Sequence, residues 1–347
     1  SLDIEFGVKR KKIFLFQVRH IKNSYNNNVN INDYKLALKK LEKKIKKLKI
    51  KSNQLIGNTS FFGVMPDWNP AEIIGTKPKP LSTSLYRELI TDHVWALNRK
   101  DLGFRDVTSN HLMTNFFGTP FIDIRVDFNS WIPRMLDDEL AKKLLNYYLN
   151  KFKKNTNLHD KIEFELLFTC YSLSTKKKLH KLKKYNFENK DITKIINSLK
   201  DINIKVFNQF NYYKKNIEIL TKKQNQIINS RMYEIDKIYW LSEDCKRYGT
   251  YTFAGFARCG FIAIEILNSF VDEKIITKSD KAKFLAGIQT ITSEMLIDKN
   301  NLSKEKFLKK YGHLRPDTYE ISSENYRDGY KNYFKNQKKI KRHLKKI

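Results

Sequence analysis

The feature that most restricts this chain is a short polar turn, Asp67-Trp68-Asn69-Pro70. Pro70 suits the first position of a helix, because a proline has no amide hydrogen to leave unpaired there. Asp67 or Asn69 can cap that helix, and Glu72 falls in its first turn, where negative charge is favourable. The pattern fits two interpretations about equally well. One is a capped surface turn, and the other is a loop that holds Trp68, Asn69 and Glu72 for a ligand.

The overall charge is strongly positive, with 67 Lys+Arg against 37 Asp+Glu and a net charge of +30 over 347 residues. Such a balance usually indicates nucleic acid or an anionic surface as partner. Here the lysines are spread along helix-like segments without stacking aromatics between them, which favours a solvated lysine coat and disfavours nucleic-acid binding. A helical module that binds RNA or an anionic membrane stays open as an alternative. The length predicts two domains, or one large domain with appended pieces.

The cysteines and the apolar runs predict a cytoplasmic protein without a membrane span. Cys170, Cys245 and Cys259 lie far apart with no CxxC pair, which indicates neither a disulfide framework nor a zinc site. The longest apolar run, FIAIEIL, is broken by Glu265 and is too short to cross a bilayer. The chain begins without methionine, and we expect it to be a fragment of a longer protein.

The N-terminal part predicts a hairpin followed by a linker and a helix. Segments 2–8 and 12–20 are rich in β-forming residues and are joined by a basic turn. Segment 24–33 is polar and indicates a linker. An amphipathic helix follows, because its apolar residues recur every three or four positions: Tyr34, Leu38, Leu41, Ile45 and Leu48.

The middle of the chain is predicted to be mainly helical, with helices over 84–97 and 136–152. Segment 161–173 alternates apolar residues with Glu163 and Glu165, which predicts a strand that forms a small sheet with 121–128. Helical spacing returns over 191–229, as one very long helix or as two with a break near Asp201. A partner helix is expected over 232–242.

Segment 247–271 is apolar nearly all round and predicts a buried helix, followed by helices over 279–297 and 303–311. Gly255 and Gly260 would let a neighbouring backbone come close. Arg258 lies among apolar residues, and a buried guanidinium needs an anion. That anion is either a structural Asp or Glu, or the carboxylate or phosphoryl group of a substrate.

Several stretches resemble one family. DWNPAEIIG, SLYRELITDHVWA and FIDIRVDFNSWIP are similar to the central region of the phosphoenolpyruvate synthase and pyruvate phosphate dikinase family. The likeness recurs in the hairpin, in RYGTYTFAGFARCGFIAIEILNSFV, and in YGHLRPDTYEIS. Within the family the chain is most similar to the L-glutamine kinases of capsule polysaccharide biosynthesis. No Walker-type phosphate loop, HExxH or GxSxG motif occurs in the sequence.

The resemblance implies that the hairpin is the last part of an ATP-grasp domain whose remainder is missing. A Glu on the first strand and a Gln-x-Arg on the second would face ATP, and here these are Glu5, Gln17 and Arg19. Glu5 and Gln17 would serve Mg²⁺, and Arg19 would serve phosphate oxygens. His20 stands where the family usually has proline.

The resemblance also implies an acceptor-binding domain over 59–330, after the hairpin (1–22) and a linker with its helix (23–58). A basic connector (331–347) would lead to a missing domain that carries a phosphohistidine. The implied fold is α+β and predominantly helical, with a small sheet. The acceptor would be a small molecule, with L-glutamine expected first and pyruvate as the alternative. The fragment alone is expected to be inactive.

The residues expected at the acceptor site are either catalytic or acceptor-binding. His313 and Arg315 would be catalytic, acting on the transferred phosphoryl group. Acidic and amide residues would bind an ammonium, amide or hydroxyl group. The full set expected to bind the acceptor is Asp67, Trp68, Asn69, Glu72, Arg87, Asp127, Asn129, Arg258 and Glu320.

Overall fold

The computed structural model describes residues 2–9, 12–20 and 30–334. Most of them are helical, and the strands form small antiparallel sheets, so the predicted class of α+β and predominantly helical is confirmed. The chain divides into two compact units, Ser1–Leu48 and Lys49–Ile347. The hairpin and the amphipathic helix, which we predicted as separate segments, therefore belong to one unit.

The first unit consists of a hairpin and a helix. Strands β1 (Leu2–Lys9) and β2 (Lys12–His20) pair antiparallel, which confirms the predicted hairpin. Ile13 and Phe16 lie on opposite faces of it, and both are exposed. Helix α1 (Ile31–Lys49) confirms the amphipathic helix. Most of the predicted linker lies outside the described residues.

The second unit opens with a three-stranded antiparallel sheet and short helices. The strands are β3 (Phe62–Gly63), β4 (Met113–Phe116) and β5 (Thr119–Asp123), in the order β3-β5-β4. The helices are α2 (Pro70–Ile73), α3 (Pro80–Tyr86), a π-helical turn (Arg87–Thr91), α4 (Val94–Leu102) and α5 (Ile124–Asn129). The predicted helix over 84–97 is therefore three consecutive pieces.

The rest of the unit is a helical assembly. Its longer helices are α6 (Asp138–Lys154), α7 (Thr175–His180), α8 (Asn189–Asn208), α9 (Phe210–Ile228), α10 (Glu234–Asp244) and α11 (Tyr251–Asp272). A π-helical turn (Cys245–Thr250) joins α10 to α11, and 3-10 turns lie at Thr156–Leu158 and Lys181–Tyr185. The final helices are α12 (Lys278–Gly287), α13 (Ile291–Asn301), α14 (Lys304–Tyr311) and α15 (Tyr330–Phe334).

The strand predicted over 161–173 is wrong. The structure has a π-helical turn at Ile162–Leu166, followed by residues without regular structure up to α7. Ile162 and Leu166 are both buried in the main core, and a helical turn brings residues four apart to the same side. The alternation of apolar and acidic residues was therefore a helical pattern in a segment too short to tell from a strand.

Two hydrophobic clusters flank helix α5 and determine where its polar side chains lie. Phe128 belongs to the larger cluster, which packs against α6 and α8. Val126 belongs to the smaller cluster, together with Tyr86 and Trp95. Asp127, the residue between these two on α5, has no solvent exposure. The carboxylate predicted for the acceptor site is therefore held rigidly between two cores.

Three predictions about the later helices need correction. The long helical region breaks at Gln209, between α8 and α9, and not near Asp201. Helix α11 is not buried all round, since Phe253 is 62% exposed. Gly255 faces the ring of Tyr213 rather than a neighbouring backbone, and Gly260 faces open space.

The apolar run FIAIEIL, which the sequence analysis judged too short to cross a membrane, lies inside a much longer helical run. Helices α10 and α11 and the turn between them form one helical run, Glu234–Asp272. By length and composition alone, this run could cross a membrane. It is the one such helix within the described ranges. The prediction considered only the residues next to Glu265 and treated 232–242 and 247–271 as separate helices, whereas they belong to one continuous run.

Candidate functional site

The polar turn Asp67-Trp68-Asn69-Pro70 is held in a strained backbone conformation. Trp68 and Asn69 have φ values of 59° and 23°, a left-handed region that residues with a side chain seldom adopt. Such residues cost on the order of 1–3 kcal/mol each and occur mainly where the surroundings impose them. Asn69 Oδ1 accepts a hydrogen bond of 3.1 Å from the amide of Glu72, so Asn69 is the helix cap. Tyr86 donates a hydrogen bond from its hydroxyl to the carbonyl oxygen of Trp68.

A cavity of about 310 Å³ lies against this turn. Five residues predicted for the acceptor site line it: Asp67, Trp68, Asn69, Glu72 and Arg258. Its wall also includes charged and aromatic residues that the prediction did not contain: Trp95, Arg99, Trp131, Glu163 and Phe253. The structure therefore brings together the polar turn, helix α4, the end of α5 and helix α11 at one place.

Arg99 is the centre of the polar network at this cavity. Its Nη2 donates to Asp67 Oδ1 at 2.6 Å, and its Nη1 donates to Ser130 Oγ at 2.7 Å. Nη1 also forms an ion pair of 3.5 Å with Asp127 Oδ1, which accepts a hydrogen bond from Trp131 Nε1 at 3.0 Å. One guanidinium thus connects two carboxylates that come from different parts of the chain.

Trp131 lies close to two guanidinium groups. The Cζ atom of Arg99 is 3.8 Å from the centroid of its indole, and that of Arg258 is 5.0 Å away. Arg258 donates to Glu163 Oε1 at 2.9 Å and to Thr169 Oγ1 at 3.3 Å. Of the two alternatives for Arg258, the structural ion pair is therefore present, and Glu163 supplies the carboxylate.

Several polar atoms at the site have no partner among the described residues. They are Oδ2 of Asp67, Oδ2 of Asp127 and Nε of Arg258. An unpaired buried polar group is unfavourable, so atoms of this kind indicate that a ligand or solvent completes the network. A second cavity, of about 240 Å³, adjoins the first and shares Asp67 and Glu163 in its wall.

Burial raises the pKa of two carboxyl groups at the site, those of Asp127 and Glu163. It raises the pKa of Asp127 well above its usual range; the charge of Asp67 adds to this rise, and Arg99 opposes it. Burial also raises the pKa of Glu163, against the opposing charge of Arg258. Two guanidinium groups face three carboxyl groups, so the network carries one negative charge when all five groups are ionised. A ligand with an ammonium or another hydrogen-bond donor group fits the unpaired carboxylate oxygens.

Four of the nine predicted acceptor-binding residues do not line the cavity: Arg87, Asp127, Asn129 and Glu320. Asp127 lines the adjoining cavity instead. Arg87 lies in the π-helical turn after α3, is largely exposed, and pairs with Asp92 through Nε at 3.0 Å. Asn129 is fully buried, and its side-chain amide bonds the backbone of Ile56 in both directions, at 2.9 Å each. Asn129 thus fixes the segment before β3 to helix α5.

The loop that carries His313 and Arg315 lies beside the turn but not in the cavity wall. Tyr319 packs edge-on against Tyr86, with 5.2 Å between ring centroids. Arg315 Nη1 donates to the carbonyl oxygen of Glu320 at 3.3 Å. The carboxylate of Glu320 pairs with Lys79 at 3.0 Å, in the segment before α3. His313 is exposed at the surface of this loop.

The residues predicted for ATP and Mg²⁺ belong to the first unit. Glu5 and Gln17 are direct partners across the hairpin, and both are exposed. The backbone of Arg19 pairs with Asp3, and its side chain lies outside the described part of the structure. Across the described ranges, no group of three or more His, Cys, Asp or Glu side chains is arranged to hold a metal ion.

The prediction missed Arg99, Trp131 and Glu163, and two of them left a signal in the sequence. Trp95 and Arg99 are four residues apart on one helix, and a charged residue on an otherwise apolar helix face needs a partner. Trp131 lies inside a stretch that carried the family resemblance. Glu163 left none, because it was assigned to a strand.

No protein-family model, no curated protein and no solved structure matches this chain.

Proposed function

We propose that this chain is the acceptor-binding part of an ATP-dependent phosphotransferase related to phosphoenolpyruvate synthase. In the full protein, a phosphoryl group would pass from ATP to a histidine on another domain and then to a small acceptor bound here. The acceptor that fits best is an amino acid, with the amide of L-glutamine as the first candidate. The hairpin β1–β2 would belong to the ATP-grasp domain that binds ATP and Mg²⁺.

One observation carries this proposal: stretches that resemble the family, although far apart in sequence, meet around one cavity. Asp67 and Trp68 come from the first stretch, Trp131 from the third and Arg258 from the one in helix α11. Segments kept only for packing would have no reason to contribute their polar residues to a common cavity. The cavity, about 310 Å³, is at the small end of the range for ligand sites, which suits a metabolite of amino-acid size.

The charges favour an amino acid over pyruvate. Two carboxylate oxygens without partners can accept hydrogen bonds from an ammonium or amide group: Oδ2 of Asp67, which lines this cavity, and Oδ2 of Asp127, which lines the adjoining one. The unpaired Nε of Arg258 can donate one hydrogen bond to a carboxylate. Pyruvate has a carboxylate but no donor, so it would leave both carboxylate oxygens unpaired. Phosphoryl transfer then requires mainly positioning and charge neutralisation.

His313 and Arg315 are proposed to act on the phosphoryl group. Their loop packs on Tyr86, and Tyr86 bonds the backbone of Trp68 in the cavity wall. Tyr86 therefore connects this loop to the acceptor site. In the full enzyme, Arg315→Ala should abolish phosphorylation of the acceptor and leave phosphorylation of the histidine intact. Loss of both reactions would contradict this role.

The first test is ligand-dependent thermal stability of the chain with L-glutamine, L-glutamate, pyruvate and phosphoenolpyruvate at millimolar concentrations. A ligand present at 100 times its dissociation constant adds about 2.7 kcal/mol to the free energy of unfolding. We expect a selective increase in melting temperature with L-glutamine. A larger increase with pyruvate would refute the preference for an amino acid.

A matched pair of variants locates the binding. Phe253 lines the cavity, lies 5.7 Å from Trp68 between ring centroids, and is 62% exposed, so Phe253→Ala should fold normally. Phe284 is 61% exposed on helix α12 and does not line the cavity. Phe253→Ala should reduce the thermal shift, and Phe284→Ala should not. Equal effects of both changes would mean that the ligand binds elsewhere.

A further inference from the structure

A larger cavity of about 710 Å³ lies next to the proposed acceptor site in the second unit. Its walls come from helix α6, the segment 163–181, helix α11 and helix α12. It is separated from the acceptor cavity by Glu163 and Phe261, which line both. Because Glu163 is bound to Arg258, this dividing wall is held in place by an ion pair.

Five lysines from four different elements line this cavity: Lys151, Lys178, Lys181, Lys278 and Lys281. Lys178 pairs with Glu265 at 3.2 Å. Lys151 donates to the carbonyl oxygens of Glu165 and Leu166, at 2.5 and 3.4 Å, and Lys281 donates to the amide oxygen of Asn268. These two ammonium groups are oriented by neutral acceptors, which leave their charge uncompensated.

The positive charge of the cavity exceeds what its carboxylates neutralise. Four carboxylates line it, but Glu163 is engaged by Arg258 and Glu265 by Lys178. Within the described residues, the other four lysines form no ion pair, and only Glu165 and Asp272 remain to balance them. The ammonium groups also affect each other: burial lowers the pKa of Lys151, the charge of Glu165 opposes this decrease, and the charges of Lys181 and Lys178 add to it. Like charges held this close favour binding of an anion.

One side of the cavity is apolar. Phe164 and Phe261 stack with 4.2 Å between their ring centroids, and Leu167, Val271 and Leu285 extend that surface. A cavity with lysines on some walls and stacked aromatics on another suits an anion attached to an organic group. The volume is more than twice that of the acceptor cavity, so a larger ligand fits here.

We propose that this lysine-lined cavity is a second binding site, which takes an organic phosphate that carries at least two ionised phosphate groups. The lysines would bind the phosphate oxygens, and the aromatic wall would contact the organic part. This site does not depend on the acceptor being an amino acid, nor on the phosphotransferase assignment. It differs from the general lysine coat because these five lysines line one cavity.

Titration calorimetry with inorganic pyrophosphate tests the phosphate-binding part of the site at constant ionic strength. We expect one molecule to bind per chain. In the double variant Lys181→Gln/Lys281→Gln, affinity should fall about tenfold or more, since two charge-assisted contacts are lost. The matched control is Lys183→Gln/Lys184→Gln, which removes the same charge from exposed lysines of the 3-10 turn Lys181–Tyr185 that do not line the cavity.

Affinity within about twofold of the parent chain in the control variant, together with the loss in the cavity variant, would support the site. Equal losses in both variants would overturn it, because they would show that pyrophosphate binds the lysine coat in general. Absence of pyrophosphate binding to the parent chain would overturn it as well. The thermal-shift test of the acceptor cavity is independent of both outcomes, since it uses a different ligand and the Phe253 variant.

Discussion

Replacement of Arg99 by methionine should destabilise the second unit more than the same replacement of an exposed arginine. The change keeps most of the apolar volume but removes the only cation bonded to Asp67 and Asp127 in the described part of the unit. Asp127 has no solvent exposure, and the side chain of Asp67 is 13% exposed. Loss of one partner from a buried ion pair costs about 3–5 kcal/mol, because a buried charge is left uncompensated.

Urea unfolding followed by tryptophan fluorescence measures this effect in the correct unit. All four tryptophans of the chain lie after residue 48, and three of them, Trp68, Trp95 and Trp131, line the acceptor cavity. With an m-value of about 3 kcal/mol/M, the expected loss corresponds to a midpoint lower by roughly 1 M or more. The control is Arg105→Met, because Arg105 pairs at 3.5 Å with an Asp138 side chain that is 95% exposed, and such pairs contribute about 1 kcal/mol or less.

The same variant should be less impaired at lower pH. The pKa of Asp127 is raised in the folded chain, so its contribution to stability is largest when it is protonated and is lost as pH rises through the folded pKa. Without Arg99 that pKa should rise further, and the destabilisation should shrink between pH 7 and pH 5. A loss below about 1 kcal/mol, or an equal loss at both pH values, would refute the assignment of Arg99 as the cation for these carboxylates.

Two further predictions concern helix α11. Gly255→Ala should lower the free energy of unfolding by about 1–3 kcal/mol, because the new Cβ would lie 2.3 Å from Cζ of Tyr213. Gly260 faces open space, so Gly260→Ala should raise it by about 0.5–1 kcal/mol in the same urea assay. Lys274, two residues after the end of α11, has a φ of 59°. Lys274→Gly should therefore add about 1 kcal/mol to the free energy of unfolding and raise the melting temperature. A lower melting temperature would contradict the strain argument.

Much of the secondary structure followed from local pattern. Asn69 caps α2 and Asp137 caps α6, as short polar side chains before a helix predict. The hairpin and most of the longer helices were also found, because their periodicity extends over many residues. The failure at Ile162–Leu166 came from a segment of five residues, in which a helical turn and a strand give nearly the same alternation.

The acceptor cavity was predicted in part. Asp67, Trp68, Asn69 and Glu72 were found because a polar turn with a proline and a cap is visible in the sequence itself. Arg258 was found because a charge in an apolar helix requires an anion. That anion is Glu163, and its identity depends on a contact across 95 residues of chain, which no local pattern encodes.

The longer helices, their caps and the presence of unusual polar residues are therefore properties of local sequence, and local sequence specifies them. The pairing of Arg99 with Asp67 and Asp127, the position of Trp131 beside two guanidinium groups, and the convergence of five lysines on one cavity are different in kind. They arise when packed cores bring distant segments together, because burial forces each charged group to take whichever partner the packing places within reach. Only the tertiary structure decides those partners.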